Sequence, residues 1–78
     1  MDDIHFTLRG EFINLDALLK ATGLADSGGA AKQLITAGEV RVDGQVDTRR
    51  GAKIRAGQRV QVAGQRIRLL AAELPPTT

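Results

Sequence analysis

Apolar residues alternate with polar ones at the start of the chain. Ile4, Phe6 and Leu8 are separated by His5 and Thr7, which predicts a strand over residues 4–8 with the three apolar side chains on one face, ended by Gly10. From Leu15 the spacing lengthens to three and four. Leu15, Leu18 and Leu19 share one face of a helix over LDALLKAT. Asn14 stands as its N-cap, Asp16 complements the positive end of the helix dipole, and Ile13 is placed to staple against Leu18. Gly23 suits the left-handed residue just past the helix end, which turns Leu24 back towards Leu19. Ser27 or Asp26 caps a second helix. There Ala30, Ala31, Leu34 and Ile35 fall on one face, Lys32 and Gln33 point elsewhere, and Gly38 is the stop. The short GLADS connection implies that the helices pack together, through Leu15, Leu18, Leu19, Leu34 and Ile35.

After Gly38 the period returns to two. VRV points Val40 and Val42 inward and Arg41 outward, and Asp43-Gly44 is a strong hairpin signal. A strict two-residue loop would pair Arg41 with Val46, putting a charged and an apolar residue on one face. A bulged turn with Gly44 left-handed pairs Val40 with Val46 instead, and this is the expected register. A last hairpin is predicted in QRVQVAGQRIRL, where an Ala63-Gly64 turn pairs Val60 with Ile67 and Gln61 with Arg66. That register sets Arg59 opposite Arg68. Like charges so placed destabilise a bare sheet, so these arginines either splay into water, the preferred reading, or meet an anion. The tail AAELPPTT has two prolines and little to bury. We expect one domain over residues 1–74 and a frayed tail over 75–78.

Composition narrows the class. Seventy-eight residues make one small domain and not two cores, and alanine supplies eleven of the residues behind the 42% hydrophobic content. The absence of cysteine removes disulfides and thiolate metal sites and suits a reducing compartment. MDDIHFTLRG is acidic and has no apolar segment of the signal-peptide kind, and no apolar run approaches the roughly 18 residues of a membrane span. A cytoplasmic protein is expected, with no membrane partner.

Net charge is only +2, but its distribution is uneven. Residues 1–31 carry two basic against five acidic side chains, −3, whereas residues 32–68 carry nine against three, +6. Such asymmetry favours a polyanionic partner. Catalytic chemistry lacks a constellation. His5 is the sole histidine and lies in a strand pattern, while Ser27 precedes a helix as a cap rather than beside a base. SGGAAK lacks the spacing of a phosphate loop, and Asp43 with Asp47 has no third metal ligand. The expectation is a protein that is not an enzyme and uses no cofactor or metal.

One ordered set of short motifs is more specific. Leu15-Asp16, Leu18 and Gly23-Leu24 are followed by Ser27, Ala31-Lys32-Gln33-Leu34-Ile35 and Gly38. Val40, Val42-Asp43-Gly44, Lys53-Ile54, Gly57 and Val60 complete the set. In this order and spacing, over about three-fifths of the chain, they resemble the S-four (S4) RNA-binding domain named after a small-subunit ribosomal protein. The chain is most similar to the small stand-alone bacterial members of the YbcJ type. The resemblance implies an α+β fold: two short packed helices, the αL motif, against a small bent antiparallel sheet with an N-terminal strand and a C-terminal β hairpin. It also implies RNA lying along helix two and the adjoining strand and loop. Lys32 and Arg41 match basic positions of that surface, and Arg49, Arg50, Lys53 and Arg55 belong to the segment after that strand. Many members carry basic residues where this chain has Asn14 and Gly28, and neither position is counted as a phosphate contact.

Phe6 and Phe12 are the only aromatic residues and lie outside the basic half, so the sequence offers no platform for stacking bases. Arginine, eight of the eleven basic residues, suits forked contacts to the phosphates of a folded RNA. The expected function is therefore non-catalytic binding of structured RNA, ribosomal RNA or a ribosome assembly intermediate, by a monomer, with ribosomal subunit proteins as further candidate partners. A small adaptor docking on an acidic protein surface is the alternative, and duplex DNA a third.

Overall fold

In the computed structural model, which describes residues 3–71, the first and last strands lie side by side. The elements in chain order are β1 (Asp3–Leu8), β2 (Ile13–Asn14), α1 (Leu15–Ala21), α2 (Gly28–Thr36), β3 (Val40–Val42), β4 (Gln45–Val46), β5 (Lys53–Ile54), β6 (Arg59–Val62) and β7 (Gln65–Ala71). Five strands form one sheet in the order β1-β7-β6-β3-β4, and β2 pairs with β5 in a second. The larger sheet is mixed. Strands β7, β6, β3 and β4 are antiparallel, as expected, but β1 joins β7 in parallel, with Ile4 opposite Ile67 and Phe6 opposite Leu69. Phe6 and Leu69 thereby fall on the same face as Val40, Val60 and Val62, so one sheet face presents an apolar stripe from β1 to β3.

Both helices cover that face. Leu15, Leu18 and Leu19 of α1 and Ala31 and Ile35 of α2 are fully buried in one cluster with Val40, Val60 and Ile67. Ser27 caps α2: its Oγ accepts from the Ala30 N–H at 3.2 Å. At the other end Gly38 takes a left-handed φ of 78°, and the Gly38 and Glu39 N–H groups bond back to the carbonyls of Ile35 and Leu34. Gly23, at φ 81°, ends α1 in the same backbone region, and Leu24 is half-buried against the core.

Two local expectations change. Asn14 occupies the N-cap position of α1 with extended backbone, but its side chain makes no capping bond. The Leu15 and Asp16 N–H groups are instead taken by the carbonyls of Ala52 and Arg50, at 2.9 and 3.1 Å. A distant loop caps this helix. The hairpin at Asp43-Gly44 is also not bulged. It uses the strict two-residue loop, Val42 opposite Gln45 and Arg41 opposite Val46, with Asp43 at φ 53° and Gly44 at φ 86°. Positive φ at both central residues is what a type I′ turn requires, and its twist matches the strands. The cost is Val46, left 52% exposed beside Arg41. The second hairpin follows the expected register, Val60 opposite Ile67 and Arg59 opposite Arg68. The expected fraying of residues 75–78 lies outside the described residues.

Candidate nucleic-acid interface

Strand β5 and the residues flanking it carry four of the expected site residues, and their position is fixed by backbone bonds to the start of α1. Besides the Ala52 and Arg50 carbonyls on α1, β2 pairs with β5 so that Ile13 faces Ile54 and Asn14 faces Lys53. Ile54 is buried and anchors the segment. Its neighbours Lys53 and Arg55 are exposed, as alternation about a buried residue requires. The Arg55 N–H donates to Gln58 Oε1 at 2.7 Å, so the backbone is held while the guanidinium stays exposed.

Two aspartates shape the surroundings. Arg49 makes a forked contact with Asp47, Nε to Oδ1 at 3.1 Å and Nη2 to Oδ2 at 3.0 Å. This bond, chiefly the side-chain one, holds the Asp47 carboxyl below its ordinary value and raises Arg49. Asp43 accepts from Gln58 Nε2 and from the Arg59 N–H, both at 3.0 Å, and the Gln58 bond first and the Arg59 N–H second lower its pKa. Arg49 and Lys53 line one groove of about 430 Å³ with Asp43, Asp47 and Gln58. The cations there share their site with two carboxylates.

The other expected residues are distributed. Lys32 is exposed on α2 at the margin of its buried face, and Arg50 is exposed in the loop. Arg41 projects from the sheet face away from the helices, since Val40 and Val42 on either side of it face the core. It lines a second groove, of about 400 Å³, with Arg66, Gln61 and Glu39. Strand register continues this outer face. Arg41 lies beside Gln61 and Gln61 beside Arg66, while Arg59 lies beside Arg68 and Arg68 beside His5. Arg66 is engaged by Asp3, Nε to Oδ1 at 3.3 Å. Apart from Arg9, between β1 and β2, the arginines thus divide between a loop surface at the helix start and an outer sheet face.

One residue that sequence reasoning set aside sits at the loop surface. Lys53 Nζ lies over the Phe12 ring, 4.9 Å from its centroid, and Phe12 is 41% exposed. The pairing of β2 with β5 brings this aromatic across to the basic segment. No sequence period could have marked it, because each of these strands is two residues long.

Among the described residues, no group of three or more His, Cys, Asp or Glu side chains could hold a metal ion, and no helix is long and apolar enough to cross a membrane.

Comparison with known proteins places these features in a family. The model of the S4 domain matches residues 6–70. The putative RNA-binding protein YbcJ of Escherichia coli (strain K12) is 46% identical over 59 residues, covering 76% of this chain and 84% of the relative. The probable ribosome maturation protein RlbA of Bacillus subtilis (strain 168) is 39% identical over 54 residues, 69% of this chain and 76% of the relative. The solution structure of YbcJ from E. coli, described as revealing an αL motif involved in RNA-binding, superimposes with a TM-score of 0.63 at 39% identity. That match covers 88% of this chain and 86% of the other.

Proposed function

Since the chain belongs to the S4 domain family, we propose that it binds structured RNA without catalysing a reaction on it, and that the RNA is ribosomal or part of a ribosome assembly intermediate. The observation that carries this reading is the locking of the basic loop to the start of α1 through the Leu15–Ala52 and Asp16–Arg50 backbone bonds. Folded RNA is read largely through its shape, phosphates and 2′-hydroxyls, which calls for cations held on a rigid surface rather than on a mobile tail. Arg49, Arg50, Lys53 and Arg55 supply them from β5 and its flanks, while Lys32 on α2 and Arg41 on the outer sheet face are further cations set apart from that loop. The relatives named for RNA binding and ribosome maturation support the same partner, and a cytoplasmic monomer fits it.

The test is a titration of the protein against total ribosomal RNA, duplex DNA and an acidic protein, at low and physiological salt. Four to six phosphate contacts give a slope of log affinity on log salt of roughly −3 to −5. Binding that RNA wins at physiological salt is the expected result. Equal weak binding to all three, vanishing at that salt, rejects the proposal.

A further inference from the structure

The two phenylalanines are treated differently by the fold. Phe6 packs against the core, while Phe12 stands outside it with 41% of its surface exposed. The reason is the period of β2. Ile13 turns inward opposite Ile54, so Phe12 and Asn14 turn outward, onto the face that carries Lys53. Phe12 directly precedes this pairing and Arg55 directly follows it, at the same end of the two-stranded sheet. An exposed aromatic ring therefore has one cation over it, at 4.9 Å from the centroid and within the roughly 6 Å reach of a cation–π contact, and a second, Arg55, just past the end of the facing strand. Arg50, whose carbonyl holds the start of α1, belongs to the same loop.

We propose that Phe12, flanked by Lys53 and Arg55, is the stacking site for one unpaired nucleobase of the bound RNA. The inference rests on the RNA-binding reading and adds a ligand chemistry to it: a bulged, looped-out or terminal base, which a continuous duplex does not present. Every base has a π face, so stacking on a lone phenylalanine accepts any of the four. Lys53 keeps its place over one face of the ring, the base takes the other, and Arg55 meets a phosphate beside the stacked nucleotide. The ammonium over the ring and the anchored backbone of Arg55 hold the site in place before RNA arrives, which lowers the ordering cost of binding. The basic groups supply salt-dependent attachment. The ring selects RNA in which a base is free.

The chain contains no tryptophan or tyrosine, so Phe12→Trp introduces a single indole reporter. Two labelled RNAs with the same number of phosphates are compared, a hairpin stem with one bulged nucleotide and a fully paired stem, and binding is followed by the anisotropy of the label. The indole is expected to be quenched by the bulged RNA and not by the paired one. Phe12→Leu keeps an apolar side chain and removes the π face. It should weaken binding of the bulged RNA about 5- to 150-fold, while leaving the paired stem, the salt slope and thermal melting unchanged. An unquenched indole in a complex that does form, or a Phe12→Leu protein whose preference between the two RNAs is unaltered, overturns the stacking site and leaves RNA binding standing. Failure of the unmodified protein to bind either RNA or total ribosomal RNA overturns both.

Discussion

Asp43 and Gln58 are joined side chain to side chain, Gln58 Nε2 donating to Asp43 Oδ2 at 3.0 Å, while the other oxygen of the same carboxylate accepts from the Arg59 N–H. A turn residue of one hairpin is thus fastened to the chain entering β6. The link explains why the β3–β4 connection takes the strict two-residue form: its first central residue must sit at positive φ, and here that residue is also held from outside the hairpin.

Replacing Asp43 should therefore cost more than the loss of a surface charge. Asp43→Ala loses both bonds and the polar side chain that makes φ 53° tolerable, for a destabilisation of about 1.5–3 kcal/mol. Asp43→Asn keeps an acceptor and tolerates the left-handed conformation, so about 0.5–1 kcal/mol is expected. Urea unfolding of the two variants gives the order directly, and equal losses would mean that the Gln58 link contributes nothing.

The pH dependence has a definite sign. Gln58 and the Arg59 N–H lower the carboxyl of Asp43, and Arg49 that of Asp47, below the unfolded value of about 3.9. Groups so shifted contribute stability that is present above the unfolded pKa and lost as pH falls through the folded one. Melting temperature should be flat from about pH 7 to 5 on account of these two groups and decline below about pH 4. Asp43→Asn should show a shallower acid limb. An identical limb in thermal melts from neutral to acid pH would remove Asp43 from the account.

Ala63 is the second non-glycine residue at positive φ, 53°, in the β6–β7 turn. An alanine there bears a steric cost that asparagine largely avoids, and Asn-Gly is the preferred pair for a turn with both residues left-handed. Ala63→Asn should stabilise the protein by about 0.5–1 kcal/mol, read as a higher melting temperature. Ala63 lines the groove that holds Arg41, so this variant reports on stability and not on RNA affinity.

Arg49 and Arg50 test the proposed interface by salt dependence. Their joint replacement by alanine removes two cations, and the slope of log affinity on log salt should flatten by about 1.5–2 while melting stays nearly unchanged. Asp47→Asn should act in the opposite direction, because it frees Arg49 from a forked carboxylate contact. Tighter RNA binding in this variant supports the site, and an unaltered slope in the double variant excludes both arginines from it.

Much of the fold was legible because its signals are local. Alternation at Ile4, Phe6 and Leu8, the three-and-four spacing of Leu15, Leu18 and Leu19, and the glycines after each helix state the elements, and the Ala63-Gly64 turn states the register of its hairpin. The uneven charge marked the basic half for the same reason, since counting needs no structure. What the sequence left open depends on residues far apart in the chain. The parallel seat of β1 against β7 joins the two ends. Strands β2 and β5 are too short to carry a period, yet their pairing caps α1 with a loop carbonyl in place of the Asn14 side chain and carries Phe12 to Lys53. The β3–β4 register was misjudged from face alternation alone, because the partners that hold Asp43 in its turn come from beyond β5. Period and turn chemistry are properties of neighbouring residues and are written in the sequence. Pairing between distant segments is decided by which backbone groups and apolar surfaces each segment leaves unsatisfied once the others have packed, and only the tertiary structure decides that.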